Sequence, residues 1–471
     1  MNLFIFHRDL RLIDNTSLIH QLKKYENTIP IFIFTKEQIE KSKNDYFSNN
    51  SVQFMIETLH ELSETIKKYN GKLYFFKGDN IKILKAINKI DKINSISFNV
   101  DYTPYALKRD NEIKQFCEDE NIELIMKEDY VLYDILEGNT KKENGEAYQV
   151  FTPFKNNCLK TLKVREIDRF RNFNFKKNKK FENISYYIDE KIIDEFYKEN
   201  NDVIVRGGRE NGLKILNNII KFKDYNKNRN YLTYETTHLS AYNHFTPISI
   251  REVFYKIKNK LGMKNDLINE LHWRDFYVNI TYFFPYVLEG QIKSKNKSFK
   301  KKYDNLKFKH NTKWFDAWKE GKTGIPIIDA GMRQLNKTGF MHNRLRMITC
   351  SFLYKSMHID WRLGEKYFAS KLIDYSVMQN NGGHQWCSST GADAQPYFRI
   401  FNPWLQTIKF DKDYEFIKKW IPEIKNIPNN ELNKWYDENI YKKYLNDGID
   451  YYKPILDTSY ETKITLKLYK I

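Results

Sequence analysis

Residues 380–403 read Asn380-Asn381-Gly382-Gly383-His384-Gln385-Trp386-Cys-Ser-Ser-Thr-Gly-Ala-Asp393-Ala-Gln-Pro396-Tyr-Phe-Arg399-Ile-Phe-Asn402-Pro403. So dense a mixture of amides, glycines and aromatics is poor material for a plain hydrophobic core. Buried amides need hydrogen-bond partners, and paired glycines let a backbone approach something flat or phosphorylated. Aromatic rings beside them suit stacking on a planar ligand. The stretch therefore reads as the lining of a ligand pocket.

Working outward, only helical periods occur from about residue 206 onward, which predicts an all-α domain over 206–471. The first part of the chain differs. Short apolar runs at Leu3–Phe6, Ile29–Phe34, Lys72–Phe76, Ser95–Val100 and Ile122–Met126 alternate with helical patterns near 15–24, 51–69, 80–90 and 105–120. Such alternation predicts an α/β domain over 1–134 with a doubly wound, parallel, five-stranded Rossmann-like sheet. The turn after the first strand carries His7-Arg-Asp-Leu-Arg11 and no GxGxxG, which argues against a dinucleotide site there. Residues 135–205, rich in Asn and Lys as in Phe175-Lys-Lys-Asn-Lys-Lys180, read as a solvated connector.

A chain of 471 residues suggests two or three domains. Its 78 basic and 60 acidic side chains give a net charge of +18, which points to a polyanionic partner, although A/T-rich coding also inflates Lys and Asn. Cys117, Cys158, Cys350 and Cys387 form no CxxC, which argues against a zinc site, a disulfide framework or a four-cysteine cluster, so no metal is expected. The N-terminus becomes charged too soon for a secretory signal, and no run reaches membrane-spanning length. A soluble intracellular protein without a membrane partner is expected.

In Leu267-Ile-Asn-Glu270-Leu-His-Trp273-Arg274-Asp275-Phe276-Tyr277, helical spacing puts Glu270, Trp273, Arg274 and Tyr277 along one face. Together they can hydrogen-bond, stack and grip phosphate. The plainer alternative is a surface Glu270–Arg274 pair beside a half-buried Trp. In Thr338-Gly-Phe-Met-His342-Asn343-Arg344-Leu-Arg346-Met347, Asn343 and Met347 share a face, with Arg344 beside it and Arg346 pointing elsewhere. A buried Arg346–Asp374 pair is expected. Thr236-Thr237-His238-Leu239-Ser240 offers hydroxyls and amides suited to a phosphate, or to helix capping. Tyr225 and Arg229, four apart, are placed to serve the same ligand.

These motifs, in this order and with Gly324-Ile-Pro326-Ile-Ile-Asp329-Ala-Gly-Met-Arg-Gln between them, closely resemble the photolyase/cryptochrome family. The resemblance runs from residue 3 to about 456 and is densest over 267–406. It implies an N-terminal α/β antenna domain and a C-terminal helical domain holding FAD, active when fully reduced. By position, the cofactor would be gripped by Tyr225, Thr236 to Ser240, Arg274, Arg346, Asp374, Ser376 and Asn380. Asn343 and Met347 match the class I cyclobutane-dimer photolyases, which repair UV-damaged DNA as monomers. Glu270, Trp273, Asn343, Met347 and Trp386 would then line the lesion pocket, with Arg229, Arg274, Tyr277, Arg344 and Gln406 also facing DNA. Basic residues among Lys293 to Lys302 would hold phosphates. A blue-light receptor of the cryptochrome kind and a (6-4) photolyase are the alternatives on the same scaffold.

Some positions depart from the family pattern. Relatives usually relay electrons to the flavin through three tryptophans. Here only the middle one stands, as Trp361, with His384 at the flavin-proximal position and Phe308 at the surface one. Trp314, Trp318 or a tyrosine would have to substitute. Ala241 and Thr246 replace a common Pro and Gly, and Ser376 replaces a second Asp near the flavin. Asp101-Tyr-Thr-Pro-Tyr-Ala106 lacks a folate-binding glutamate, which leaves the antenna open between folate, deazaflavin and none.

Overall fold

The computed structural model describes residues 1–288 and 296–470. Five parallel strands, β1 (Asn2–Phe6), β2 (Thr28–Phe34), β3 (Tyr74–Lys77), β4 (Ser95–Asn99) and β5 (Glu123–Lys127), form the sheet, with β6 (Tyr187–Ile188) antiparallel to β3 at one edge. The order is β5-β4-β1-β2-β3-β6. β1 and β2 are buried along their whole length. That is why they read as nearly continuous apolar runs, as strands covered on both faces must. Phe4, Phe6, Phe32 and Phe34 pack into one core, and Leu3, Ile5, Ile31 and Ile33 into the core on the opposite face. The crossover helices Thr16–Lys24, Asn49–Lys68, Asn80–Ile90 and Pro104–Asp119 each begin at a side-chain cap: Asn15, Ser48, Asp79 and Thr103.

Two expectations are corrected. The sheet has six strands rather than five, because two residues of the connector pair with the β3 edge. A two-residue strand has too short an apolar pattern to be read from sequence. Nor is the connector merely solvated. Phe173, Phe175 and Phe181 are buried. Phe175 sits where a Cβ on Gly71 would come within 2.7 Å of it. The connector's helix Phe151–Thr161 packs Phe151 and Phe154 against the helix Asp266–Phe283. Its lysines stay at the surface, and its phenylalanines belong to the core.

From Arg209 onward every named element is helical. The α/β and helical parts are joined by a buried ionic cluster. Arg11 donates to Asp129 at 2.5 Å, while Arg251 donates to Asp129 and Asp14, both at 2.7 Å. Arg11 also donates to the Thr246 hydroxyl at 3.0 Å. Thr246 adopts a positive φ of 38°, the left-handed region in which a glycine is unstrained. The hydroxyl's bonds to Arg11 and to the Arg8 carbonyl help hold it there.

Candidate functional site

One cavity of about 540 Å³ lies within the helical part, a size suited to a cofactor-scale ligand. Three helices supply nearly half of its wall: Asp266–Phe283, Asn343–Lys355 and Val377–Cys387. The first is capped by Asn265, which accepts Leu267 N–H, and the second by His342, whose Nδ1 accepts Arg344 N–H. The segment leading into the short helix Ser240–Phe245 closes another side.

Nearly every residue singled out from sequence lies on this wall. Tyr225, Arg229 and Thr236 to Ser240 do so. So do Glu270, Trp273, Arg274 and Tyr277, and Asn343, Arg344, Arg346 and Met347. Asp374, Ser376, Asn380, His384 and Trp386 complete the set. Gln406 is the exception. It is half-buried on the helix Pro403–Phe410, away from the wall. Trp361 and Phe308 also stand off the wall, Trp361 being fully buried behind it.

The cavity is graded in exposure. Asp374, Arg274 and His384 are buried, Glu270, Trp273, Met347 and Trp386 are half-buried, and Asn343 is exposed. It therefore opens towards solvent on the side of Asn343. In the buried part, Arg346 donates to Asp374 at 2.9 Å and to the Met341 carbonyl at 2.8 Å. The expected Arg346–Asp374 pair is present. Arg346 also lines the cavity, so it does not point elsewhere. Arg274 does not pair with Glu270. It donates to Asp275 at 2.9 Å and stacks on Tyr130 at 3.6 Å, while Glu270 accepts from Arg229 at 2.5 Å.

The Asn-Asn-Gly-Gly motif divides its labour. Asn380 faces the cavity and donates to Glu365 at 3.1–3.2 Å. Asn381 faces away and donates to the Val287 carbonyl at 3.2 Å. A Cβ on Gly382 would strike the Tyr277 ring at 2.1 Å, so this glycine allows helix-to-helix contact. Gly383 lines the cavity, and a Cβ there would meet nothing within 4 Å. Gly383 thus leaves its backbone open to the cavity, whereas Gly382 serves helix packing. Trp273 lies flat on Phe151, with ring centroids 3.7 Å apart and planes 7° apart.

Four arginines (Arg229, Arg274, Arg344 and Arg346) charge the cavity. Its histidines stay neutral. Burial holds His244 well below the ordinary imidazole range and His384 down to about 3, with the arginines adding to the effect. Burial raises the Glu270 carboxyl, opposed by Arg229. The 35% of Glu270 that is open faces the cavity. Glu365, fully enclosed behind Asn380, is pushed up to about 8 by burial and so stays protonated at neutral pH. Asn243 Oδ1, His244 Nδ1, Arg274 Nε and Arg344 Nε are buried on the wall without a hydrogen-bond partner. Buried polar atoms without partners are costly, so a polar, negatively charged ligand fits this cavity.

Residues 2–172 match the DNA photolyase family model, and residues 267–471 match the model described as the FAD binding domain of DNA photolyase. The chain belongs to the DNA photolyase family. It is 35% identical to a deoxyribodipyrimidine photo-lyase of Buchnera aphidicola, covering 100% of this chain and 96% of that one. It is 31% identical to that of Escherichia coli over 99% and 97% of the two chains. Among solved structures, an archaeal photolyase from Sulfolobus tokodaii with two FAD molecules superposes with a TM-score of 0.86, at 35% identity and over 100% of both chains. Most of the cavity wall, from Leu267 to Cys387, lies within the residues that match the FAD binding domain model. The wall also takes in residues that carried no signal in sequence. Tyr130 reaches the wall from just beyond β5, and Asn230, Asn243 and Gln379 are isolated polar residues outside the family motifs noted above. No helix among the described residues is long and apolar enough to cross a membrane.

Proposed function

We propose that this chain is a light-driven DNA repair enzyme whose substrate is a cyclobutane pyrimidine dimer flipped out of the strand. One observation carries the reading: Glu270, Trp273, Asn343, Met347 and Trp386 gather on the open side of the cavity whose buried side is formed by Arg274, Asp374 and His384. Two ligands could therefore meet in one chamber. Bound reduced FAD, on absorbing light, would supply the electron that opens the cyclobutane ring.

The remaining chemistry belongs to the chain. Arg274, Arg346, Tyr225, Ser376 and the Thr236–Ser240 segment hold the cofactor, with Asp374 keeping Arg346 in position. Asn380, anchored on Glu365, presents an amide to it. Trp273, held flat by Phe151, and Trp386 offer apolar faces to a base lifted from the stack, which offsets the lost stacking. Burial raises the Glu270 carboxyl against the pull of Arg229, and from the wall it can hydrogen-bond a pyrimidine and stabilise charge arriving there. Arg229 and Arg344, both near the opening, and Lys297 and Lys300 to Lys302 are suited to DNA phosphates. The Lys300 backbone N–H bonds to the Thr390 carbonyl at 2.8 Å, which ties this basic segment to the turn after Trp386. Lys293 and Lys295 lie outside the described residues. The division into units at 134 and 205 remains part of the same reading.

Repair assays test it. The reduced protein is given oligonucleotides bearing a single cyclobutane thymine dimer or a single (6-4) photoproduct, in blue light and in darkness. Loss of the cyclobutane dimer in light only, with the (6-4) lesion untouched, is expected. Repair of the (6-4) lesion, or of neither, would contradict it.

A further inference from the structure

The position where the usual relay has its flavin-proximal tryptophan holds His384, and the structure shows what that histidine does. His384 is buried on the cavity wall. Behind it stands Tyr354, also fully buried, whose hydroxyl is hydrogen-bonded to His384 Nδ1. Tyr354 itself is not on the wall, so it lies one side chain back from the cavity. The Cys350 thiol, 3.6 Å from Nδ1, and the Phe368 ring, edge-on at 4.9 Å, close the imidazole in. Both also line the cavity.

The phenol has a place made for it. A Cβ on Gly364 would lie 2.4 Å from the Tyr354 oxygen, so only glycine at that position leaves the hydroxyl its room. Burial keeps His384 neutral, and in the tautomer protonated on Nε2 the Nδ1 lone pair accepts from the phenol O–H. Burial also raises the phenol well above its ordinary range, with Cys350 adding to the effect, so the O–H stays intact in the resting state.

A buried phenol gives up an electron readily only when its proton can leave in the same step, because the oxidised phenol is a strong acid. An imidazole already hydrogen-bonded to that O–H is a suitable acceptor, even one made weakly basic by burial. We propose that Tyr354 is a photo-oxidisable electron donor to the flavin cavity, with His384 as its proton acceptor. The proposal rests on flavin occupying this cavity. The oxidant is light-excited, oxidised flavin. One electron passes from Tyr354 to it, the phenolic O–H bond breaks, and the proton moves to His384 Nδ1. The products are a neutral tyrosyl radical, an imidazolium and a flavin richer by one electron, so charge balances within the site. Tyr354 would thereby take over from the missing tryptophan.

Flash illumination of the oxidised, flavin-loaded protein tests this by transient absorption and by electron paramagnetic resonance on freeze-trapped samples. Flavin absorption is recorded for each preparation before the flash, so an empty cavity, which would overturn the flavin reading, is told apart from a silent tyrosine. The wild type should give a tyrosyl signal that narrows when ring-deuterated tyrosine is incorporated and forms more slowly in D₂O. Tyr354→Phe should lose it, and Trp361→Phe should keep it. His384→Phe retains the phenol but removes the base, and should also lose it. That second variant decides the matter if Tyr354→Phe does not fold. A tryptophanyl signature in the wild type, or a tyrosyl signal undiminished in either Tyr354→Phe or His384→Phe, would overturn the proposal.

Discussion

Trp386 and Trp273 have the same chemistry but different surroundings. Trp273 already has one face on Phe151, whereas Trp386 is half-buried at the open side of the cavity. Trp386 is therefore the cleaner probe of base stacking. Trp386→Ala should weaken binding of dimer-containing DNA by about 1–3 kcal/mol, the usual cost of one lost base–aromatic stack. Binding of undamaged DNA should hardly change, and titration of both oligonucleotides checks it. At this scale the sequence was informative wherever a motif clustered several unusual residues. It could not show that Arg274 turns from Glu270 to Asp275 and Tyr130, because that choice depends on a strand end far away in the chain. Gln406, expected to face DNA, stands on the helix Pro403–Phe410 and does not line the cavity.

Among the elements, the ionic cluster of Arg11, Asp14, Asp129 and Arg251 joins the α/β part to the helix Ile250–Leu261. All four side chains are essentially buried. Removing one charge leaves its partners unpaired in a medium that solvates them poorly. Arg251→Met should cost about 3–5 kcal/mol, read from denaturant unfolding. Burial alone would raise the Asp129 carboxyl, but Arg11 and Arg251 outweigh it and hold it far below the ordinary range. Its stabilisation is thus fully present above about pH 4, the unfolded value, and is lost as pH falls below it. Acid unfolding of the wild type should show this loss, and Asp129→Asn should flatten it. The sequence signalled Arg11 only as part of a motif. The apolar strands were legible because both faces are buried, whereas β6 and the phenylalanine anchors of the connector were hidden among lysines.

For the whole molecule, the excess of 18 positive charges exceeds what the cavity needs for its own ligand. A DNA substrate accounts for it if basic residues near the opening neutralise phosphates, each releasing a counterion. Binding should then weaken steeply with salt. Lys301→Ala, if Lys301 contacts one phosphate, should flatten the log–log slope by about 0.9 while leaving the preference for damaged DNA intact. An unchanged slope would remove Lys301 from the interface. The measurement closest to the central claim, that flavin and lesion share one chamber, is the fluorescence lifetime of the reduced flavin-loaded protein with and without dimer-containing DNA. The account predicts a lifetime shortened by the dimer and unaffected by the same oligonucleotide undamaged. An equal lifetime in both, at saturating DNA, would contradict it.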